Sequence, residues 1–318
     1  MGKGATASVR RARDQASGEE VAMKVFSKLP GLVALDRLEG EARCLSRINH
    51  TSVIGLRGAS KAAQLIQGGQ QKVQRVPVLA LELASNGELF PFIATGGALP
   101  GAAARAVFRQ LLDALDACHK ASICHRDVSL MNIMVDNNFN LKLGDFGHAV
   151  QIPAGQSPTL IRGSCGTGVF APPEILTGKA HNGFKVDVWA AGVVLFIALT
   201  GHPPWSAASP SDCWYSVLIH EGTDAFWAAH CRTSPNIPHG AMDLLSDIFT
   251  VDQHSRPSLA WVQTHAWLCR DEGREDNATL IAELKRRSKE MKKTMAGATG
   301  SDREGSTQGD TTTSRTHR

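Results

Sequence analysis

The sequence predicts an α+β chain in which a small β-rich lobe is followed by a larger α-rich lobe. Two short alternating runs, residues 5–11 and 20–26, flank a turn over 14–18 in the pattern of a β-hairpin. Residues 102–120 instead carry apolar side chains at helical spacing, and further helical segments follow as far as residue 268. The change of character comes after Ser85-Asn86-Gly87, so we place the junction of the lobes near residue 84.

The composition is that of an ordinary globular protein. The chain has 318 residues, of which 42% are hydrophobic and 20% are charged, enough to bury a sizeable core. Its seven cysteines are odd in number and never spaced C-x-x-C, which argues against a disulfide framework and against a zinc finger. We therefore expect a reducing compartment and a cytoplasmic location, with a nuclear location also open.

Charge and hydropathy argue against two classes of partner. The formal net charge of +4 is small and evenly spread, so no nucleic-acid surface is predicted. The longest apolar stretch, residues 188–199, has twelve residues, whereas a membrane span needs about twenty. We expect this stretch to be a buried core helix, and we expect no membrane association.

The first lobe carries a helix with an inward-facing carboxylate. Over residues 35–48 the apolar side chains fall three or four positions apart, at Leu35, Leu38, Ala42, Leu45 and Ile48. At about 100° per residue, Glu41 lies about 60° from the centre of this stripe and Glu39 about 100° from it. Glu41 therefore faces inward and needs a cationic partner. Lys24 is the natural counter-ion, because a Lys in an otherwise buried strand is costly unless it meets an anion.

Two segments lack a clear structural period. Residues 58–75 are rich in Gln, Gly and Lys, so we expect a surface loop there, before a strand over 76–83. Residues 269–318 carry eleven Lys and Arg against nine Asp and Glu, and their end is rich in Gly, Ser and Thr. Residues 278–295 have the composition of a basic helix, but we expect 269–318 as a whole to be a basic, largely disordered tail.

Two glycines near the start mark a turn between extended segments. Gly2 and Gly4 would let backbone N–H groups approach a phosphate. The same spacing also fits a tight hairpin turn without a ligand. The inward-facing Lys24 on the next strand favours the phosphate interpretation.

The strongest chemical signal is the run from Ile123 to Asn132, followed by Asp145-Phe146-Gly147. Residues 133–135 and 141–143 are short apolar strands around a turn-rich link, so they predict an antiparallel hairpin. We therefore expect Asn132 beside Asp145, both presenting oxygen ligands that suit Mg²⁺ shared with phosphates. Asp127 comes five residues before Asn132, and we expect it near the same site as the group that orients a hydroxyl.

These motifs resemble those of the eukaryotic protein kinases over about residues 1–268, and most of all the serine/threonine kinases of the calcium/calmodulin-dependent group. The resemblance implies the bilobal protein kinase fold, with an N-lobe at 1–84, a larger α-helical C-lobe at 85–268 and the tail at 269–318. It implies transfer of the γ-phosphoryl group of Mg-ATP to Ser or Thr hydroxyls of a protein substrate. Thr167 after Gly166 fits the serine/threonine pattern.

The resemblance also implies roles by position. Asp127 corresponds to the catalytic base, and Lys24, paired with Glu41, corresponds to the cation that holds the α- and β-phosphates. Asn132 and Asp145 correspond to the magnesium ligands. The implied nucleotide contacts run from the phosphate loop to the hinge and the ribose side: Gly2, Gly4, Ala7, Val9, Ala22, Lys24, Leu81, Glu82, Ala84, Glu88 and Met134.

Two further sets of residues are implied to hold the large lobe and the active arrangement. Arg256 is positioned to form an ion pair with Glu174, at the end of the segment that resembles the substrate-binding one. An apolar stack that connects the lobes is expected from Leu45, Leu56, His125 and Phe146.

Departures from the family pattern keep an alternative function open. Met1 falls midway through the family's first strand, so we expect that strand to be truncated, and Ala7 replaces the third glycine. Ser129 replaces a Lys that contacts the transferring phosphate, and losing one such donor costs a few kcal/mol of transition-state stabilisation. The alternative is a pseudokinase or nucleotide-binding scaffold with little transferase activity.

The regulation implied by the sequence is equally specific. Gly163 stands where family members are commonly phosphorylated and leaves Ser164 and Thr159 as weaker candidates, so we predict activity that does not depend on a phosphate in the activation loop. The basic segment 278–295 fits either an autoinhibitory or calmodulin-binding contact or a solvated tail.

Overall fold

The two lobes that the sequence predicts are present in the computed structural model, which describes residues 7–27, 29–66, 73–153, 155, 161, 163, 166, 168–269 and 273–301. The small lobe is an antiparallel sheet in the order β1-β2-β4-β3, with one helix packed against β3 and β4. Its elements are β1 Ser8–Arg13, β2 Glu20–Val25, α1 Gly31–Leu45, β3 Leu56–Ile66 and β4 Val73–Glu82.

The β1/β2 hairpin and helix α1 confirm the predictions made for this lobe. Ser8 pairs with Val25 and Arg13 with Glu20, so the register runs through both strands. Lys24 is 6% exposed on β2, and Glu41 is 1% exposed on α1. The helical period thus identified the inward-facing carboxylate correctly.

The prediction of a surface loop over 58–75 is wrong for most of that segment. β3 pairs with β4 from Leu56 opposite Leu81 to Ile66 opposite Val73, and residues 67–72 lie outside the described part of the chain. The register shifts between Leu56 and Gly58 and again between Ser60 and Ala63. Each register shift moves the following side chains of β3 to the opposite face of the sheet. Most of the described side chains after Gly58 are also exposed, so the sequence of β3 shows no alternation of apolar and polar residues.

The large lobe is mainly helical. A three-stranded sheet in the order β5-β7-β8 and the β6/β9 pair lie at its junction with the small lobe. The elements are β5 Gly87–Glu88, α2 Leu89–Gly96, α3 Gly101–Lys120, β6 Ile123–Cys124, β7 Ile133–Val135, β8 Leu141–Leu143, β9 Val150–Gln151, α4 Pro173–Leu176, α5 Gly183–Thr200, α6 Cys213–His220, α7 Thr223–His230, α8 His239–Ile248, α9 Leu259–Gln263 and α10 Gly273–Ser301.

Helix α5 is the centre of this lobe. The Asn182 side chain caps its start by accepting from the N–H groups of Phe184 and Lys185, at 3.0 and 3.4 Å. It ends at Gly201, whose φ of 80° is left-handed, and a Cβ there would lie 2.9 Å from the Ala98 nitrogen. By length and composition α5 is the one described helix apolar enough to cross a membrane, but 83% of it is buried inside the lobe. It is the core helix that residues 188–199 predict.

The prediction of a largely disordered tail is wrong for residues 273–294. Helix α10 packs against α2 and α3, and Leu280 and Leu284 are both 0% exposed. The composition hid this packing because only a narrow stripe of the basic helix is apolar. Residues 302–318 lie outside the described part of the chain.

Candidate active site

A buried ammonium group joins two carboxylates between the lobes. Lys24 Nζ on β2 donates to Oε1 and Oε2 of Glu41 at 2.8 and 2.7 Å and to Oδ1 of Asp145 at 2.7 Å. All three donors of the ammonium are therefore engaged. The partner that the sequence assigns to Glu41 is in place, and Asp145 joins the same network.

The charges of this network stabilise one another. Burial works to lower the pKa of Lys24, but the charges of Glu41 and Asp145 outweigh it and raise the pKa above its usual value. Burial works in the opposite sense on Asp145, where the Lys24 ammonium dominates and holds the pKa below its usual value. In Glu41 the effect of burial exceeds that of the Lys24 charge, so the pKa of that carboxyl is raised.

The hairpin of β7 and β8 brings the second half of the site together. Ile133 pairs with Leu143, and Gly144 N donates to Asn132 O at 2.8 Å, so the residues that flank the hairpin are adjacent. Asn132 Nδ2 donates to the backbone oxygen of Asp127 at 2.7 Å and to its Oδ2 at 2.9 Å. The Asp127 carboxylate is thus held from the same loop that carries Asn132.

The oxygen atoms on this side of the site fit a magnesium ion. Both amide hydrogens of Asn132 are directed at Asp127, which leaves its Oδ1 as an acceptor. The described hydrogen bonds of Asp145, from Lys24 and Gly147, use Oδ1, which leaves Oδ2 for another cation. One carboxylate and one amide oxygen, completed by phosphate and water, are the donors that Mg²⁺ prefers. Among the described residues no cluster of three or more His, Cys, Asp or Glu provides a metal site without such help.

Asp187 fixes the loop that carries Asp127, and sequence reasoning missed this role. Its Oδ1 accepts from Arg126 N at 2.7 Å and its Oδ2 from His125 N at 2.9 Å. These bonds hold Arg126 at a φ of 66°, a left-handed conformation that costs energy for a residue with a side chain. The available signal was an Asp at the start of the most apolar helix, where burial demands several donors.

An apolar stack connects the lobes beneath this loop. The rings of His125 and Phe146 meet edge to face with centroids 4.8 Å apart. Leu45 and Phe146 belong to one buried core, against which Leu56 packs. His125 Nε2 lies 3.0 Å from the Gly144 oxygen, so the ring is also held by a hydrogen bond. Of the set expected from the sequence, His125 and Phe146 are in direct contact, and Leu45 and Leu56 belong to or pack on the same hydrophobic core.

A cavity of about 740 Å³ lies between the lobes, with the ion pair on its wall. Leu83 and Ile54 line it along with most of the expected nucleotide contacts, and the Glu82 carboxylate also pairs with Lys142 at 2.8 Å. Gly2 and Gly4 lie outside the described residues. The expected residues that line the cavity are Ala7, Val9, Ala22, Lys24, Glu41, Leu81, Glu82, Ala84, Glu88, Asn132, Met134 and Asp145.

The cavity also has lining residues that sequence reasoning did not assign to it. Pro91 and Phe92 come from α2, and Met131 comes from the loop that carries Asp127 and Asn132. Met291 comes from α10, in the segment expected to be disordered. Nothing in the local pattern around Met291 connects it with α2, which lies far earlier in the chain.

The large lobe is held by the ion pair that the sequence predicts. Arg256 donates to both oxygens of Glu174, at 2.7 and 3.0 Å, and its guanidinium lies 4.7 Å from the Trp189 ring.

Ser129, in the place of the expected Lys, is 0% exposed, and its Oγ has no hydrogen-bond partner among the described residues. Thr167 lies outside them.

Known proteins resemble this chain over both lobes. The sequence model of the protein kinase domain matches residues 1–268. Probable serine/threonine-protein kinase MARK-B of Dictyostelium discoideum is 32% identical over 270 residues, which are 84% of this chain and 35% of that protein. Sperm motility kinase 1 of Mus musculus is 32% identical over 273 residues, which are 86% of this chain and 51% of that protein.

The chain spans between a third and about half of the length of these relatives. The match nevertheless covers both lobes, the ion pair on β2 and α1, the loop of Asp127 and Asn132, and the Glu174–Arg256 pair. The chain therefore belongs to the protein kinase family.

Proposed function

We propose that the chain is a protein serine/threonine kinase that transfers the γ-phosphoryl group of Mg-ATP to Ser or Thr hydroxyls of protein substrates. The observation that carries the proposal is the double contact of Lys24, which joins Glu41 to Asp145 on the wall of the interlobe cavity. Such a costly buried arrangement of charges is expected where phosphates bind.

Lys24 is the cation that would receive the nucleotide. Its three donors are all engaged, so a phosphate oxygen must replace one of the present acceptors. Asp145 is the exchangeable one, because Glu41 binds through both oxygens and is the more deeply buried carboxylate. The exchange would leave Glu41 orienting the ammonium and would release Asp145 for a metal.

Asp127 is the group that would orient the attacking hydroxyl. Asn132 fixes its carboxylate, and Asp187 fixes the backbone on the preceding residues. A carboxylate held this way accepts the hydroxyl proton without reorganising during transfer. Asn132 and Asp145 would hold Mg²⁺, which supplies charge neutralisation for the phosphates when bound.

The alternative is a pseudokinase or nucleotide-binding scaffold, and one observation favours it. Ser129 supplies no cation to the transferring phosphate, and its hydroxyl is buried away from solvent. Against it, Lys24, Asp127, Asn132 and Asp145 are all present. Catalysis by phosphoryl-transfer enzymes rests mainly on positioning and charge neutralisation, so these four residues weigh more than the missing Lys.

A transfer assay and a binding assay on the same protein separate the two functions. We expect the full chain to phosphorylate a degenerate Ser/Thr peptide library with Mg-ATP, and Asp127→Asn to lower the rate by at least about a thousandfold. The matched control is Asp224→Asn, which removes an exposed carboxylate on α7. Nucleotide binding without transfer would favour the scaffold.

Finer assignments complete the proposal. The resemblance of the motifs supports a place near the calcium/calmodulin-dependent group, and the cysteine usage supports a cytoplasmic location. The calmodulin or autoinhibitory contact through 278–295 stays a hypothesis. Because Leu280 and Leu284 are already buried against the large lobe, calcium-loaded calmodulin would have to displace α10, and titration of the full chain with it tests this.

A further inference from the structure

Helix α10 reaches the nucleotide cavity although it begins beyond the residues that match the kinase family. Met291 lines the cavity together with Glu88, which directly precedes α2, and with Pro91 and Phe92 in the first half of α2. Its side chain is partly buried and packs on the hydrophobic core of the protein. The rest of the wall is made by residues from other elements of both lobes, so Met291 completes a surface instead of standing apart from one.

The start of α10 is fixed to α3 by a buried ion cluster. Asp276 is 2% exposed, and it accepts from Arg105 Nε and Nη2 at 2.7 and 2.8 Å and from Arg109. Fork-like Arg–carboxylate pairs of this kind are the strong ones. Leu280 and Leu284 follow at helical spacing and are completely buried. The first turns of α10 are thus a constitutive part of the large lobe.

The next turn is fixed to the end of α2 by Arg287. The Arg287 side chain is almost completely buried, and it donates to the carbonyl oxygens of Phe92, Gly97 and Ala98 at 2.9, 2.8 and 2.7 Å. The Gly97 and Ala98 carbonyls follow the end of α2, where a helix has no partners of its own for them, and the Phe92 carbonyl lies one turn earlier within the helix. Glu283, one turn earlier, holds the guanidinium through its Nε at 2.6 Å.

Gly96 shows that α2 and α10 fit closely at this point. A Cβ placed on Gly96 would lie 2.7 Å from three atoms of the Arg287 side chain, closer than any ordinary contact. The guanidinium therefore occupies the space that a larger residue would take. Because Met291 follows Arg287 by one helical turn, this bond network also sets the position of Met291.

We infer that Met291 is a nucleotide-contacting residue of the pocket, supplied by the tail helix. The inference rests on the proposed function, since it concerns the same cavity. A thioether beside Glu88 and Phe92 presents an apolar and adaptable surface, which suits the sugar or base of a nucleotide but not its phosphates. The helix therefore builds the pocket, whereas an autoinhibitory tail would obstruct it.

The test compares nucleotide affinity in single variants of the full chain. The probe is the non-hydrolysable analogue AMP-PNP with Mg²⁺, titrated by calorimetry, so that the readout does not need turnover. We expect Met291→Ala to raise the dissociation constant about three- to tenfold, because the substitution removes apolar surface that the nucleotide would cover. Lys292→Ala, at the next and exposed position, is the control and should bind like the original chain.

Two further measurements separate a loss of nucleotide binding from a loss of folding. Thermal unfolding without nucleotide checks the fold, and we expect little change in Met291→Ala because the side chain is only partly buried. Gly96→Ala should displace Arg287 and weaken binding without changing any residue of the cavity wall. Unchanged affinity in Met291→Ala overturns the inference, and increased affinity overturns it in favour of an obstructing tail.

The failure of the proposed function gives a different result. A chain that binds AMP-PNP but transfers no phosphate overturns kinase activity and leaves the Met291 comparison intact. A chain that binds no nucleotide overturns both.

Discussion

At the scale of single residues, the site depends on a buried network in which one ammonium group donates to two carboxylates. Lys24 meets two carboxylates, of which Glu41 is 1% exposed. Separating one partner from such a pair costs several kcal/mol, because it leaves a charge uncompensated in a medium of low polarity. The position of the ammonium is therefore set by the fold before any nucleotide arrives.

Glu41→Gln tests how much of the site this preorganisation supplies. The amide still accepts one hydrogen bond from Lys24, but it removes the charge that opposes the effect of burial on the ammonium. We expect kcat/KM for ATP to fall about ten- to a hundredfold. Steady-state kinetics with ATP varied is the measurement.

Glu39→Gln is the matched control for that variant. Glu39 lies on the same helix and pairs with Lys61 at 2.6 Å, but this pair is open to solvent, with 43% of the Glu39 side chain and 68% of the Lys61 side chain exposed. Surface pairs of this kind contribute little, because solvent screens them, so kcat/KM should stay within about twofold. Equal effects of the two substitutions would mean that the Lys24–Glu41 pair does not position the nucleotide.

The position of a site residue could be predicted from the sequence where a helical period or a hairpin register determined which way its side chain faces. Glu41 followed from the helical stripe, and Asn132 beside Asp145 followed from the register of a short hairpin. Asp187 could not be assigned in this way, because it holds the loop through backbone N–H groups, and these carry no sequence signal. Ser129 is visible as a departure, but only the structure shows its hydroxyl buried without a partner among the described residues.

At the scale of elements, the sequence failed where the apolar pattern is interrupted or narrow. The register shifts of β3 break the alternation that would have predicted a strand between residues 58 and 66. In α10 the buried positions are few and lie among many charges, so composition suggested disorder. In α5, by contrast, nearly every position is buried, and a continuous apolar run was a sufficient signal.

The packing of α10 makes a prediction about stability. Leu284 is 0% exposed, so Leu284→Ala should lower the free energy of unfolding by about 2–4 kcal/mol, through reduced burial and the cavity it leaves. Lys289→Ala, at an exposed position of the same helix, should change it by less than about 0.5 kcal/mol. Urea unfolding followed by Trp fluorescence measures both. Equal stabilities would show that α10 is not docked in solution.

At the scale of the whole molecule, the lobes meet through β8 and the segment before β3. Ile54 N donates to Leu143 O at 2.9 Å, and Leu143 N donates to Ser52 O at 2.8 Å. The same strand β8 pairs with β7 and leads into Asp145. One short strand, β8, thus both joins the lobes and positions Asp145.

Stability of the large lobe should depend on pH through an aromatic cluster remote from the site. His230 is 1% exposed, with its ring 4.4 Å from those of Trp214 and Phe226. Burial, reinforced by the neighbouring His202, lowers the pKa of His230 from 6.5 to about 4. The folded protein therefore holds this ring neutral at pH values where an unfolded chain would protonate it.

The sign of the effect follows from proton linkage. Above pH 6.5 both states hold His230 neutral, and this group adds no pH dependence. Between pH 6.5 and 4 mainly the unfolded state binds the proton. The free energy of unfolding therefore decreases as the pH is lowered through this range, by a total on the order of 3 kcal/mol. Below about pH 4 both states are protonated and the loss is complete. Carboxylates also titrate in this range, so the contribution of His230 must be isolated by substitution.

His230→Phe isolates it, because the new ring keeps the aromatic packing and cannot titrate. From urea unfolding at pH 7.5, 5.5 and 4.5, we expect the original chain to lose about 2–3 kcal/mol more than this variant on acidification. His254→Phe, at an exposed position, should follow the original chain. If His230→Phe loses stability in parallel with the original chain, the buried ring is not the group that senses acid, and the pH response of the large lobe comes from other groups, such as its carboxylates or the buried His181, whose pKa burial also lowers.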